Sequence, residues 1–239
     1  MILSSNNSSS KLTAEKVASE PRFVKNNYLV QRSLSWSYLR YRVFRPLLKI
    51  YKKWNLRGLG NDIPWLTPAA IIILDNILNK KMTGLEYGSG KSTLFIAPRI
   101  KQLESVEHHA TWYQNVTEWL QDRNINNVTY HLFESEISES NKEIEIRNRS
   151  VFDQKNENYR KYINLLSSFS NNHFDFILID GRARVECCQQ AIDKLKSGGI
   201  FILDNSERTR YQVVHDLLDS WDKVNTTTGL TDTTFWFKP

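Results

Sequence analysis

Glu86, Gly88 and Gly90 stand in the stretch GLEYGSGKST, residues 84–93, an acid followed by two alternately spaced glycines. The ending GKST imitates the phosphate-binding loop of nucleotide hydrolases, whose spacing G-x-x-x-x-G-K-[ST] is the length of backbone that wraps a phosphate with N–H donors. The leading glycine of that loop would fall on Leu85, and Gly84 comes one residue too early. The loop is therefore of another kind, in which Gly88 and Gly90 let backbone approach a ligand closely or simply make a tight turn. Glu107 follows about twenty residues later, where an acid at the end of a second strand can accept both hydroxyls of a ribose. Asp180 and the pair Asp204-Asn205 add hard oxygen atoms suited to proton transfer, to Mg²⁺ or Ca²⁺, or to shaping a pocket and capping a helix. Arg182, Arg184 and Arg208 follow them closely, either to clamp an acidic or phosphorylated compound or as solvated loop arginines.

These residues make one site only if the chain gathers them. Thr67-Pro68 supplies a cap and a first-turn proline for a helix reaching residue 79. Strands and helices then alternate. Strands are predicted at 83–87, 103–107, 128–133, 174–179 and 200–203, and helices from Ser92 to an early end near Pro98 and over 111–123, 159–169, 185–195 and 209–221. An acidic, polar insertion spans 134–158, and the last residues read as a hairpin. This alternation predicts an α/β, doubly wound, mostly parallel sheet covered on both faces. Such sheets bind ligands beyond the carboxyl ends of their strands, where Glu86 to Gly90, Glu107 to His109, Asp180 to Arg184 and Asp204 to Glu207 all fall.

At 239 residues and 40 % hydrophobic, the chain suits one large domain with an appendage. The only cysteines, Cys187 and Cys188, are adjacent, a placement poor for a bridge and without metal-ligand spacing. No apolar run approaches the roughly 20 residues that span a bilayer, and no secretory leader is evident, so the protein is expected to be soluble and cytoplasmic. The net charge of +6 is unevenly placed: residues 1–60 hold twelve Lys and Arg against two Glu, leaving 20 against 24 in the remainder. Residues 1–20 are predicted to be a disordered tail, 21–64 a basic helical extension and 65–239 the α/β domain. Within residues 33–57, aromatic and basic side chains alternate at helical spacing around Pro46. They suit packing on the domain, peripheral contact with an anionic membrane or acidic partner, or nucleic acid, with no specific nucleic acid predicted.

A ribose-containing cofactor is either a dinucleotide or S-adenosylmethionine. A dinucleotide site favours a third glycine, G-x-G-x-x-G, and no negative charge near its pyrophosphate; here the third position is Thr93 and Glu86 precedes the turn. An acid there suits the cationic methionine end of S-adenosylmethionine, although an inward Lys91 would argue the other way. The chain also resembles the class I S-adenosylmethionine-dependent methyltransferases. LEYGSGKSTLFIA is similar to their first motif, SVEHH to their acidic second motif, and DFILIDGRARVECCQQAIDKLKSGGIFILDN to their fourth and fifth strands. The resemblance implies a seven-stranded sheet with an antiparallel C-terminal hairpin. It also implies Glu86, Gly88 and Gly90 at the methionine end, Glu107 on the ribose and His108 near the adenine. The departure is Ser92, where many members carry a third glycine. Asp180, Asp204 and Asn205 are similar to the metal site of catechol-type O-methyltransferases, but the nearby arginines compete with a cation, so a divalent metal is not favoured.

The expected activity is methylation, preferably at oxygen, of a small-molecule or glycan acceptor, with Asp180 assisting proton loss. An NAD-dependent oxidoreductase or epimerase on the same sheet, and a non-catalytic adaptor acting through residues 33–57, are the competing readings.

Overall fold

The computed structural model describes residues 60–136, 156–228 and 231–239. The tail expected at 1–20, the basic segment 33–57 and most of the insertion lie outside these residues. Residues 60–64, assigned to the helical extension, are irregular instead: Asp62 pairs with Arg123 and Ile63 packs on the core. Among the described residues no helix is long and apolar enough to cross a membrane.

Thr67 accepts the N–H of Ala70 with its side chain, and Pro68 opens helix α1 (Pro68–Ile77). Its apolar residues cover one face of the sheet. Strand β1 (Thr83–Tyr87) runs into the glycine turn and helix α2 (Lys91–Ile96), which tightens into a 3₁₀ turn at Pro98. Strand β2 (Gln102–Glu107), helix α3 (Ala110–Asp122) and strand β3 (Val128–Leu132) follow within a residue or so of expectation. The predicted helix over 159–169 is broken: only α4 (Arg160–Asn164) is α-helical, flanked by 3₁₀ turns. Ser168 Oγ donates to Leu165 O at 2.7 Å there, a local side-chain bond of the kind that competes with helical bonding. Strand β4 (Phe174–Ile179), helix α5 (Arg184–Ala191) and strand β5 (Leu195–Asp204) come next, the last starting earlier than predicted because Gly198, at φ +75°, carries the strand through an irregularity. Helix α6 (Gln212–Leu217) is shorter than predicted, and β6 (Asp222–Thr227) and β7 (Asp232–Phe237) form the terminal hairpin.

The seven strands run in the order β3-β2-β1-β4-β5-β7-β6. The first five are parallel, and β7 is antiparallel to both β5 and β6. The order reverses between β1 and β4, which opens a crevice beyond their carboxyl ends. Both faces are buried. Phe176 and Leu178 of β4 pack with α1 and Phe235 on one side, while Ile177 and Ile179 pack with Tyr162, Cys187 and Trp236 on the other. This two-sided burial explains why β4 reads as an unbroken apolar run.

Close approach of β1 and β4 requires the small residue Gly84, where an added Cβ would lie 2.2 Å from the Phe176 ring. Gly84→Ala is expected to cost about 1–3 kcal/mol by overpacking. In urea denaturation the further loss from Phe176→Leu should be smaller in that background than in the wild type, and additive losses would disprove the contact.

Candidate functional site

Beyond the β1 and β4 ends lies a cleft of ≈ 560 Å³, within the range of small-molecule sites. Gly88, Gly90, Glu107, His108 and Asp180 all line it, so three of the four expected strand ends meet in one place, while Asp204 to Glu207 at the fourth stand off the lining and only Arg208 beyond them reaches it. Gly88 has φ +92°, and a Cβ there would come within 2.7 Å of Gly181 N, so the turn after β1 and the turn after β4 touch backbone to backbone.

Glu86 stands behind this wall rather than on it, contrary to the expectation that it lines the methionine end. It is fully buried, and its Oε2 accepts from Thr93 Oγ1 at 2.5 Å and Ser105 Oγ at 2.8 Å. Thr93 Oγ1 in turn accepts the Gly90 N–H at 2.9 Å. One carboxyl thus joins the end of β1, the start of α2 and β2, and fixes the glycine turn from below. Burial pushes its pKa up to about 7, against the opposing hydrogen bonds of Ser92, Thr93 and Ser105.

Glu107 keeps its charge. Its Oε1 accepts the N–H groups of His108 and His109 at 2.8 and 2.9 Å, and its Oε2 accepts from Ser89 Oγ at 3.1 Å. Burial alone would raise its pKa, but His108 and these backbone donors outweigh that and hold it below the usual carboxylate range. His108 Nδ1 lies 2.7 Å from Glu107 Oε1, off the direction of a hydrogen bond, so the contact is electrostatic when the ring is charged. Its Nε2 accepts from Arg182 Nε at 3.3 Å, and Tyr159 and Tyr162 flank the ring. His109 caps α3 with Nδ1.

Asp180 and Asp204 end neighbouring strands, with the Arg184 guanidinium between them. Its Nη2 donates to Asp180 Oδ1 and O, both at 2.7 Å, its Nε to Gly181 O at 2.9 Å, and its Nη1 to Asp204 O. Asp204 Oδ1 accepts from Thr233 Oγ1 at 2.7 Å. Burial and mutual repulsion push Asp204 up to about 8, and burial raises Asp180 despite Arg184. Asn205, the third member of the candidate metal set, accepts from Arg208 Nη2 at 2.7 Å. Guanidinium groups are thus bonded to two of the three side chains a cation would need, Asp180 and Asn205, and they compete with Mg²⁺ or Ca²⁺ for those oxygens. Ala183 and Asn205 both have left-handed backbone, φ +46° and +52°, on the two turns that carry these groups.

The sequence reading passed over Ser89, Trp112, Arg210 and Tyr211, which also line the cleft. Ser89 sits between the two glycines, a visible signal. Trp112 Nε1 donates to Ser89 O at 2.8 Å, and its place one turn after His109 at the start of α3 could have marked it. Tyr211 carries no such mark in the sequence. The exposed Trp65 stands beside Trp112, ring centroids 6.1 Å apart.

This sheet order with its antiparallel hairpin is that of the class I S-adenosylmethionine-dependent methyltransferases, as the resemblance implied. Among solved structures, a methyltransferase-like protein from Silicibacter pomeroyi superposes with a TM-score of 0.53 at 23% identity, over 75% of this chain and 91% of that one. A Streptococcus mutans protein described as a methyltransferase, in complex with SAH, gives a TM-score of 0.50 at 11% identity, over 71% of this chain and 96% of its own. At these identities the likeness is one of fold. No protein-family model matches the sequence, and no curated protein matches it.

Because Glu86 holds its proton more tightly folded than unfolded, the folded state binds more protons between pH 4.5 and about 7. Its contribution to stability therefore falls as pH rises through that window, by about 3 kcal/mol. Glu86→Gln should flatten the fall in denaturation curves recorded across pH, and an unchanged slope would refute the assignment.

Proposed function

We propose that the chain is an S-adenosylmethionine-dependent methyltransferase acting on a small-molecule or glycan acceptor, preferably at oxygen. The observation that carries this reading is the meeting of Glu107 with the Gly88–Gly90 turn at the reversal point of the sheet, in one cleft with Asp180. The cofactor, when bound, supplies a methyl group on a sulfonium centre.

The protein's part is positioning and proton management. Glu107 is charged, and its inward oxygens are preset by Ser89 and the His108 and His109 N–H groups, so it meets ribose hydroxyls with little reorganisation. The Ser89–Gly90 backbone, braced by Trp112 and from below by Glu86, offers a surface without side-chain bulk to the methionine end. His108, flanked by tyrosines, supplies a flat edge for the adenine. Asp180 faces the cleft with a pKa above the usual carboxylate value, which makes it a stronger base for an acceptor hydroxyl, and Arg184 fixes its orientation.

Calorimetry with S-adenosylhomocysteine is expected to give saturable binding that Glu107→Ala weakens about 10- to 100-fold, the loss of hydrogen bonds to a charged group. No heat with the wild-type chain, or binding of NAD in its place, would sink this reading.

A further inference from the structure

The cleft is more basic than a cationic cofactor needs. Lys91, Arg182, Arg184, Arg208 and Arg210 line it, against the carboxylates of Glu107 and Asp180. The arginines have different jobs. Arg184 is spent on the strand ends, bonding Asp180, Gly181 and Asp204. Arg182 reaches back to His108. Arg208 differs from both: the only hydrogen bond of its side chain among the described residues is one Nη2 contact to the neutral amide of Asn205, and the nearest carboxylate oxygen, on Glu207, is 3.9 Å from its Nε. A guanidinium has five donors, so most of this fork remains for a ligand.

The fork is also preset. Asn205 holds it from a left-handed backbone position, and the Arg208 N–H bonds Asn205 O at 3.2 Å, which closes the turn after β5. Two residues on, Arg210 lies over the Tyr211 ring at 4.9 Å, and both residues line the same end of the cleft. That end is opposite Glu107 and beside Asp180, where an acceptor would sit.

We propose that the acceptor carries an oxyanion, a phosphate, sulfate or carboxylate group, gripped by Arg208 at the β5 end of the cleft while the hydroxyl to be methylated faces Asp180. This assignment rests on the methyltransferase reading above and narrows it to an acidic acceptor. Planar bidentate pairing with a guanidinium is the chemistry that recognises such groups. The anion also offsets the cleft's surplus cations, so it should favour the positive S-adenosylmethionine over its neutral sulfide product.

The full chain, saturated with S-adenosylhomocysteine, is titrated in separate calorimetric arms with inorganic phosphate, sulfate and acetate at constant ionic strength. At least one anion should bind, the preferred arm naming the acidic group. Arg208→Gln should weaken that anion about tenfold while leaving S-adenosylhomocysteine within about twofold, and Arg208→Lys, keeping the charge but losing the fork, should fall between. Binding of S-adenosylhomocysteine with no anion site, or anion affinity indifferent to both substitutions, overturns the acidic-acceptor assignment alone. Failure of the wild type to bind S-adenosylhomocysteine removes the cofactor reading and this assignment with it.

Discussion

One guanidinium ties the carboxyl ends of the two central strands together. Arg184, only 9% of its side chain exposed, satisfies carbonyl oxygens on Asp180, Gly181 and Asp204 as well as the Asp180 carboxylate. Each of those acceptors would otherwise face a poorly hydrated interior at a strand end, where no further ladder partner exists. Burial opposes the charge on Arg184, and the Asp180 carboxylate beside it outweighs that and raises its pKa. Asp180 can face the cleft at a defined angle because its neighbour is locked, and the turns on either side can hold left-handed residues because the same neighbour anchors them.

A second constraint works on the other half of the cleft from beneath. The glycine turn has little side-chain packing of its own, so its shape comes from the Glu86 network below and from Trp112 beside it. The two halves are coupled by contact, since Gly88 and Gly181 approach too closely for any side chain. A shift of either turn therefore reshapes the other. The two sides of the cleft are held against each other at this contact.

The periodic parts of this fold were open to sequence reading. Strand β4 announces itself by a continuous apolar run, the hairpin by two β-prone runs around 226–229, and the Thr67-Pro68 start of α1 by its cap. The lining of the cleft was legible as far as it depends on strand ends, which is why Gly88, Gly90, Glu107, His108 and Asp180 fall together in it. Depth was not legible. Glu86 looks like a wall residue because it belongs to the same motif, but β-strand alternation turns it into the interior, where Ser105 and Thr93 from other elements receive it. The use of Arg184 as a brace was hidden for a similar reason, because its partners are backbone carbonyls, which carry no side-chain identity. The apolar spacing of 159–169 reads as one helix, but the segment is broken into short turns, with Ser168 bonding the Leu165 carbonyl at its end.

The position of β7 has a consequence for how the molecule comes into being. β7 lies between β5 and β6, although it follows both in the chain. As the polypeptide leaves the ribosome, β5 has an unfilled edge and β6 has no partner in the sheet until residues 232–237 emerge. Thr233, the residue that bonds Asp204, arrives with them. The nascent chain can assemble its glycine turn and Glu107 early, while the floor under the β5 end of the cleft waits for β7, leaving a sticky sheet edge exposed during synthesis.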